Sequence, residues 1–375
     1  MSKSAERFSQ LLQRYGYTCR HTASSNASRK YGPCGFLLRD NLQREWRNWF
    51  LQSPDTNVFP FGDKSEFQTA SFTSGSFDPS SRGLSEMYSA VKDLADTSAP
   101  FGVVCSRVCK SEAPSASTST DSGVHSSMAY PELWTLQQFA FFTPLAKLSY
   151  WFAYWQRERL KWWKKFSKCP SDFSLTEIKD SVSASGDAAS ESGVAEVSVI
   201  RKLPWGGSEA VEHLRTSSLM ADGSAATPHA IVCDSSLDVA AATYISDGLS
   251  LRGDDSDEMV LRLHHKLAPY KATVATTIPA LRPLSSLLQI QLKRARMAVY
   301  CNPLLGTETS LEEQISRFDE MGIMFTVILD ESTQKTGVAY VRNRDTTVRE
   351  QIHVTDVRKK LPLYLQTSQS EPEHS

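Results

Sequence analysis

The densest group of side chains able to bind an ion or a phosphate lies in the stretch YWFAYWQRERLKWWKKFSK, residues 150–168. It holds four of the eight tryptophans and six basic side chains against one acidic one. Clustered lysines and arginines neutralise phosphate groups without reading a base sequence. Because the whole chain carries a formal net charge of −1, any basic surface formed here must be local.

The spacing of these residues predicts an amphipathic helix, because at about 100° per residue the aromatic and basic side chains fall on opposite sides. The aromatic arc holds Leu148, Trp151, Phe152, Trp155, Trp162, Trp163 and Phe166. The opposite side holds Arg157, Lys161, Lys164, Lys165 and Lys168. Arg159 is the exception, since it points into the aromatic arc. We expect it to be paired or stacked on an aromatic ring, because an isolated buried charge is costly.

Periodicity alone leaves three interpretations of the basic side: a solvated face of a core helix, a surface for phosphates, or a face lying on an anionic membrane. A membrane-spanning helix needs about 20 apolar residues. The longest candidate, LQQFAFFTPLAKLSYWFAYW, is interrupted by Pro144 and Lys147. We therefore expect the tryptophans to pack against a sheet, and we expect no membrane partner.

The other reactive side chains form no recognisable centre. The seven cysteines include no CxxC pair and the eight histidines are scattered, so we expect reduced thiols and no metal site. No P-loop, GxGxxG, HExxH or GxSxG motif occurs, so we expect no catalytic residue and no cofactor. The glycine pair in LPWGGSEAVEHL, residues 203–214, predicts a turn followed by a helix.

The helices and strands that must position these residues fall into two regions with different sequence patterns, separated near the acidic run DDSDE at 254–258. We predict a first domain over 1–258 with a shortened insertion at 63–98 and flexible loops at 111–127 and 180–193, a second domain over 259–366 and a disordered tail at 367–375. The N-terminal stretch MSKSAERFSQLLQRYGY suits a first helix of the fold, and a mitochondrial transit segment is the alternative.

In the second region, helices alternate with buried strands, which predicts a compact α/β domain. LAPYKATVATT and IMFTVILD are typical of strands, and SLEEQISRFDEMG is typical of a helix that begins with a capping box between Ser310 and Glu313. In the predicted helix at 281–296, Leu287 and Ile290 fall outside the apolar stripe. They either form a partner surface or pack under a neighbouring loop.

Three long stretches resemble one protein family. KYGPCGFLLRDNLQREW is similar to a segment near the start of glycyl-tRNA synthetases, and SRFDEMGIMFTVILDESTQKTGVAYVRNRDTTVREQI is similar to the class II anticodon-binding domain. Together with WFAYWQRERLKWWKKFSKCPSDFS, these stretches resemble the accessory subunits of the mitochondrial DNA polymerase. The resemblance implies an α/β (α+β) fold, in which a class II synthetase-like antiparallel-sheet domain precedes an anticodon-binding-like domain with a mixed sheet.

The resemblance also implies a non-catalytic processivity subunit in the mitochondrial matrix, at the nucleoid. Such a subunit binds the catalytic polymerase subunit and double-stranded, primer-template DNA. The candidate DNA-binding residues are Arg157, Lys161, Lys164, Lys165 and Lys168. The candidate partner-binding residues are Leu287, Ile290, Lys293, Arg294 and Arg296. Lys293, Arg294 and Arg296 come at the end of a predicted helix, where cations interact favourably with the helix dipole, so a purely structural role is the alternative.

Departures from a working synthetase support the absence of catalysis. Where the resemblance places the first ATP-binding arginine, the chain has Lys110-Ser111-Glu112, and where it places the second, Val239 follows Asp238. Without those cations the triphosphate charge is not compensated, so we expect no adenylate chemistry. The alternatives are a divergent glycyl-type synthetase and a free-standing tRNA-binding protein. Because 63–98 is too short and polar for the helical insertion through which vertebrate-type members dimerise, we expect a monomer that forms a one-to-one complex.

Overall fold

The structure, a computed structural model, describes most of the chain. The described residues are 10–19, 31–62, 68–70, 81–111, 133–181, 194–203, 206–219, 228–253, 258–302 and 309–367. The predicted loops at 111–127 and 180–193 and the predicted tail at 367–375 lie almost wholly outside them. Contacts divide the chain into two compact units: the first contains Leu42–Tyr244, and the second contains Leu11–Tyr17, Tyr31–Asn41 and Ile245–Ser375.

The first unit is built on a large sheet. Its helices and strands are α1 (Pro33–Leu51), β1 (Val58–Pro60), β2 (Gln68–Ala70), α2 (Ser81–Leu94), β3 (Phe101–Ser111), β4 (Leu133–Thr143), α3 (Leu148–Phe166), β5 (Phe173–Leu175), β6 (Lys179–Ser181), β7 (Val194–Lys202), β8 (Ser208–Ser218), β9 (His229–Ser236) and α4 (Leu237–Gly248). Helix α1 up to Asn41 and helix α4 from Ile245 are assigned to the second unit. The nine strands run in the order β1-β3-β4-β9-β8-β7-β5, with β2 beside β3 and β6 beside β7. All pairings are antiparallel except those of β1 and β2 with β3.

The two faces of this sheet bury different side chains, because successive residues of a strand point to opposite sides. On one face, Val103, Ala140 and Val232 belong to a core that includes residues of α2. On the other face, the rings of Phe139 and Phe141 pack against α3. The helix with the basic side is therefore one of the layers that cover the sheet.

The prediction for LPWGGSEAVEHL is wrong in its second half. Gly206 and Gly207 have φ values of 100° and 81°, which fits the predicted turn. The residues that follow form strand β8 and not a helix. Because β8 lies between β7 and β9, its backbone groups are hydrogen-bonded on both sides. This tertiary pairing outweighs the weak helical preference of the segment.

The second unit contains a smaller mixed sheet. Its elements are β10 (Leu249–Leu251), β11 (Met259–Leu261), β12 (Ala272–Ala275), α5 (Arg282–Arg294), β13 (Val299–Tyr300), α6 (Leu311–Glu320), β14 (Phe325–Ile328), α7 (Glu331–Thr336), β15 (Val338–Asn343), β16 (Arg349–His353) and α8 (Val357–Thr367). Five strands run in the order β13-β12-β14-β15-β16, and β10 pairs with β11 apart from them. The pairings of β12 with β13 and β14 are parallel, and the other two are antiparallel.

Several predicted features of this unit are confirmed. Strand β14 is buried along its whole length and lies between β12 and β15, as its apolar run predicts. Ser310 and Glu313 form both hydrogen bonds of the capping box at the start of α6. Gly322, just after that helix, has a φ of 77°, the left-handed conformation that glycine adopts most easily. The predicted order of an antiparallel sheet followed by a mixed sheet is also confirmed, apart from the short parallel strands β1 and β2 beside β3.

Several charged side chains of the second unit are buried and bind one another or the backbone. Asp319, fully buried on α6, accepts two hydrogen bonds of 2.9 Å from Arg342 on β15 and is also bonded by Arg252. Arg344 donates to the backbone carbonyls of Gly322 and Leu263, each at 2.9 Å. The RFDE and VRNRD segments that carry the family resemblance therefore hold this unit together from within.

Candidate nucleic-acid interface

The inner side of α3 is an aromatic layer, as its spacing predicts. Its buried side chains are Trp151, Phe152, Trp155, Arg159, Trp162, Trp163 and Phe166. Trp155 packs edge-on against Phe139 of β4 with ring centroids 4.5 Å apart, and Trp163 stacks on Tyr244 of α4 at 5.5 Å. Four tryptophans and two phenylalanines are thus buried on the inner side of the helix, which fixes the direction in which its other side faces.

Arg159 is buried within this layer and is paired, which confirms the prediction. Its Nε donates to Glu212 on β8 at 2.8 Å, and neither side chain is exposed to solvent. Trp163 Nε1 donates to the second oxygen of the same carboxylate at 2.5 Å. The guanidinium also lies over the rings of Phe50 and Trp162, at 4.6 Å and 4.8 Å. Ion pairing and cation–π contacts together compensate the buried charge.

The outer side of α3 carries the predicted cations. Arg157, Lys161 and Lys165 are exposed, and Lys164 is half-buried. Lys161 lies 3.5 Å from Glu158, but this is a solvated pair, since the lysine side chain is 62% exposed. Such a pair contributes little and leaves the lysine able to contact an anion. Lys164 and Lys165 occupy the last turn, where cations are favoured by the helix dipole.

Two details of this surface differ from the helical wheel. The helix ends at Phe166, so Lys168 is exposed in the segment that follows and does not lie on the helical face itself. Trp49 of α1 was not among the predicted site residues, yet its ring lies 5.0 Å from the Lys165 ammonium. No signal in the sequence connects these residues, because the contact joins two helices that are distant along the chain.

The second candidate surface lies on α5, in the other unit. Leu288 and Leu292 are buried in the core of that unit, whereas Leu287 and Ile290 are each 48% exposed. Exposure decides against burial under a loop, and the role in partner binding stays a prediction. Apolar side chains left in water beside cations are typical of a protein contact.

The cations at the end of α5 differ in their positions and contacts. Lys293 and Arg294 lie in the last helical turn and are exposed. Lys293 Nζ donates to the sulfur of Cys301 at 2.9 Å. Arg296 lies beyond the helix with a φ of 60°, and its backbone N–H donates to the carbonyl of Lys293. The three charges therefore cluster around the helix C-terminus and do not form a stripe along it.

Of the two positions that the resemblance compares with an ATP site, the one at Val239 carries an apolar side chain. Val239 is fully buried in the first turn of α4, and the carboxylate of Asp238 accepts a hydrogen bond from the backbone of Thr135 at 2.9 Å. The side chains of Lys110 and Ser111, and all of Glu112, lie outside the described residues.

Polar groups on the α2-side face of the large sheet are bound to one another. Asp234 accepts from Gln138 and from Arg215, both at 2.9 Å. Burial raises the pKa of Asp234, and the charge of Arg215 opposes that shift. A carboxylate held on both oxygens by neighbouring side chains is positioned as a structural group of the sheet.

Cys169 and Asp172 place a thiol and a carboxylate within 4.8 Å of each other in the first unit. No helix in the part of the chain that the structure describes combines the length and the apolar character needed to cross a membrane.

Sequence comparisons show similarity to proteins that share one name. The chain is 31% identical over 256 residues to DNA polymerase subunit gamma-2, mitochondrial, of Xenopus laevis, a match that covers 62% of this chain and 53% of the relative. It is 29% identical over 313 residues to DNA polymerase subunit gamma-2 of Bos taurus, covering 77% and 61%. The chain is thus similar in sequence to proteins named DNA polymerase subunit gamma-2. The matches span between half and two thirds of the lengths of these two proteins.

The synthetase-like fold is confirmed independently. Residues 279–362 match the family described as Anticodon binding domain. A crystal structure of prolyl-tRNA synthetase from Cryptosporidium parvum, complexed with halofuginone and AMPPNP, superposes with a TM-score of 0.63. It covers 98% of this chain and 78% of the synthetase at 13% identity, which shows a shared fold. The fold class predicted from the sequence is therefore correct, and function must be argued from the surfaces.

Proposed function

We propose that this protein is a non-catalytic accessory subunit of the mitochondrial DNA polymerase, which binds the catalytic subunit and primer-template DNA during mitochondrial DNA replication. The observation that carries the proposal is the exposed basic side of α3 on a near-neutral chain related to polymerase subunits. The mitochondrial matrix, at the nucleoid, is the corresponding location, and the Xenopus relative is named a mitochondrial protein.

The DNA contact is proposed for Arg157, Lys161, Lys164, Lys165 and Lys168. The first four side chains project from a helix whose other side is packed on the sheet, and Lys168 is exposed just beyond the end of that helix. Flexible lysines contact phosphate oxygens and leave the base edges unread. Binding to double-stranded DNA is therefore expected to be independent of sequence and steeply dependent on salt.

The contact with the catalytic subunit is proposed for Leu287, Ile290, Lys293, Arg294 and Arg296. The two exposed apolar side chains supply area that gains from leaving water, and the cations at the end of the same helix supply orientation.

In this proposal, residues 1–258 serve as a synthetase-like body and residues 259–366 as an anticodon-binding-like domain. We propose a monomer that forms a one-to-one heterodimer, and a sedimentation mass near twice 41.8 kDa for the isolated chain would contradict it.

A divergent glycyl-type synthetase is the second candidate, because the fold is that of a class II synthetase. An ATP–pyrophosphate exchange assay with glycine separates the two proposals. We expect no exchange above background, since a buried valine stands where the resemblance places an ATP-binding arginine. Clear glycine-dependent exchange would establish the synthetase instead.

The decisive experiment for the accessory role is reconstitution with a mitochondrial family A DNA polymerase. The full chain is expected to co-purify with the catalytic subunit and to lengthen primer-extension products at raised salt, where the catalytic subunit alone dissociates. A free-standing tRNA-binding protein would bind nucleic acid but would neither co-purify nor extend the products. That outcome would overturn the proposal.

A further inference from the structure

The outer side of α3 exposes an aromatic ring as well as cations. Tyr150, in the first turn of the helix, is 63% exposed, and Leu145, just before the helix, is 65% exposed. A large ring left in water gains free energy when another flat, apolar surface covers it. The start of α3 therefore offers a contact of a different kind from the lysines that follow.

Tyr150 lies on the same stripe of the helix as the candidate DNA-binding residues. Arg157, Lys161 and Lys165 follow it by about two, three and four helical turns. Lys147, also exposed, comes one turn before Tyr150, and the first turn of α3 contains no acidic residue. The exposed ring is therefore part of a row of cations, with positive charge on both sides of it along the helix.

The core of the first unit supports this ring. Tyr150 and Trp151 meet nearly at a right angle, with ring centroids 5.2 Å apart and an interplanar angle of 78°. Trp151 is itself buried and packs against Phe141 of β4 at 4.8 Å. Tyr154, one turn later, differs, because it is half-buried and its hydroxyl donates to Asp55 at 2.7 Å. Of these two tyrosines, Tyr150 has the ring that a planar group can cover.

A row of cations that includes an exposed ring matches two different parts of a nucleic acid. The cations attract the phosphates of duplex and single strand alike. An aromatic ring stacks on a base, and it does so without reading the base, because every base has a π-face. Inside a duplex each base face is covered by its neighbours, whereas the first unpaired base at a primer-template junction is open. The combination therefore favours a junction over continuous duplex.

We propose that the outer side of α3 binds the junction between duplex and single-stranded template, where Tyr150 stacks on the first unpaired template base and the lysines contact phosphates of the adjoining duplex. Tyr150 and Lys165 are separated by about 22 Å along the helix, which is roughly the length of six base pairs. One helix can thus reach the junction and the duplex together. The junction site rests on the proposed DNA-binding function and narrows it, because it names the DNA structure that is preferred and the residue that selects it.

The test uses the isolated full-length chain and two DNAs that carry the same number of phosphates. One is a blunt duplex, and the other is a shorter duplex with a single-stranded template extension and 2-aminopurine at its first unpaired position. In fluorescence anisotropy titrations the wild type is expected to bind the junction about ten-fold more tightly than the blunt duplex. Stacking should also quench the 2-aminopurine fluorescence.

Two variants at position 150 separate stacking from charge. Tyr150→Ala should abolish the junction preference and the quenching, but it should leave the blunt-duplex affinity and the slope of log Kd against log salt unchanged, because no cation is lost. Tyr150→Phe keeps the ring and should retain both the preference and the quenching. Since Tyr150 is exposed, thermal unfolding should not change in either variant.

Phe36→Ala is the matched control. Phe36 is 64% exposed, but the residue one turn later on its helix is the exposed acidic side chain of Asp40. This variant should keep the full junction preference, because an anion near the ring disfavours phosphates.

Several outcomes would overturn the junction site. They are equal wild-type affinity for the two DNAs, a preference that survives in Tyr150→Ala, or an equal loss in Phe36→Ala. If Tyr150→Ala keeps the junction affinity but weakens binding to the catalytic polymerase subunit, the exposed ring belongs to a protein contact instead. Duplex binding without a junction preference would contradict this site alone, whereas no binding to either DNA would also contradict the proposed DNA contact of α3.

Discussion

Helices α3 and α5, one in each unit, both bury one side and expose cations, yet they differ on both sides. The inner side of α3 is made of aromatic rings around a buried ion pair, whereas that of α5 buries Leu288 and Leu292 together with Ser285 and Gln289. The outer side of α3 presents cations, whereas α5 adds two half-exposed apolar side chains, Leu287 and Ile290.

The difference teaches how one architecture can serve two kinds of partner. Several cations along one helix attract a polyanion, which suits a nucleic-acid backbone. Exposed apolar side chains on a helix that ends in cations gain from leaving water, which suits a protein surface. If this comparison is sound, substitutions on each helix must affect one kind of binding and spare the other.

The largest effect is expected at the buried ion pair of α3. Glu212→Gln leaves the Arg159 guanidinium buried without a counter-charge, and it should lower the free energy of unfolding by about 3–5 kcal/mol in a denaturant titration. On α5, Leu292→Ala should lower the free energy of unfolding by about 3 kcal/mol, because it leaves a cavity in the core. Glu196→Gln, at an exposed position of β7, is the control and should change stability by less than about 0.5 kcal/mol.

The companion double variant tests the physical cause. Arg159→Met combined with Glu212→Gln removes both charges, and it should recover much of the stability that Glu212→Gln alone loses. If the double variant is no more stable than Glu212→Gln, or if Glu212→Gln costs less than about 1 kcal/mol, the inner side of α3 does not depend on this ion pair.

The next effect concerns the apolar part of α5. Leu287→Ala combined with Ile290→Ala should weaken binding to the catalytic polymerase subunit by about thirty-fold, measured by surface plasmon resonance, because two interface side chains are truncated. DNA binding by the isolated chain should not change. Val348→Ala with Leu363→Ala removes similar exposed apolar area elsewhere in the same unit and should leave both affinities unchanged. Equal losses in the two double variants would refute a specific surface on α5.

The converse effect is expected for the basic side of α3. Replacing Lys161, Lys164 and Lys165 with alanine should weaken binding to double-stranded DNA about ten-fold at low salt. It should also reduce the slope of log Kd against log salt by up to about 3, one for each lost phosphate contact. Folding and partner binding should be intact.

A charge-matched control separates local contacts from overall charge. The exposed lysines Lys335, Lys359 and Lys360 of the second unit are replaced with alanine in the control, which loses the same total charge. Its DNA affinity should fall by less than about two-fold. If both triple variants behave alike, or if the α3 variant binds DNA as tightly as wild type, the basic side of α3 is only solvated.

The smallest effect is expected at Glu158, the acidic residue within the basic side of α3. Glu158→Gln removes the partner of Lys161 and a repulsion toward phosphates, so DNA affinity should rise about two-fold in a fluorescence anisotropy titration. Gln156→Ala, on the same helix, is the uncharged control. A decrease in affinity would show that the pair positions Lys161 for binding.

Much of the fold could be predicted because its local patterns are strong. Three confirmed features each depend on residues close together in sequence: the amphipathic pattern of α3, the apolar run of β14 and the capping box at Ser310. The strand β8 was missed for the opposite reason. Its structure depends on hydrogen bonds to the strands before and after it, β7 and β9, and a segment with weak intrinsic preference takes the structure that these strands impose.

The candidate surfaces were predictable only in part. Periodicity placed Lys161 and Lys165 outward and Arg159 inward, but it did not supply Trp49 beside Lys165 or Cys301 beside Lys293. It also placed Lys168 on a helix that ends at Phe166. Contacts between distant elements, and the residue at which a helix stops, depend on packing that a single sequence does not state.

The sequence by itself determined the fold class and the side of α3 that faces the core, because motifs and the 3.6-residue period are local properties. Only the tertiary structure decided that Glu212 neutralises Arg159, that Asp319 ties Arg252 to Arg342, and that Lys293 meets Cys301. Each of these pairs joins charges or reactive atoms from separate elements. Their energies depend on burial and on distances of a few ångströms, and folding alone sets both.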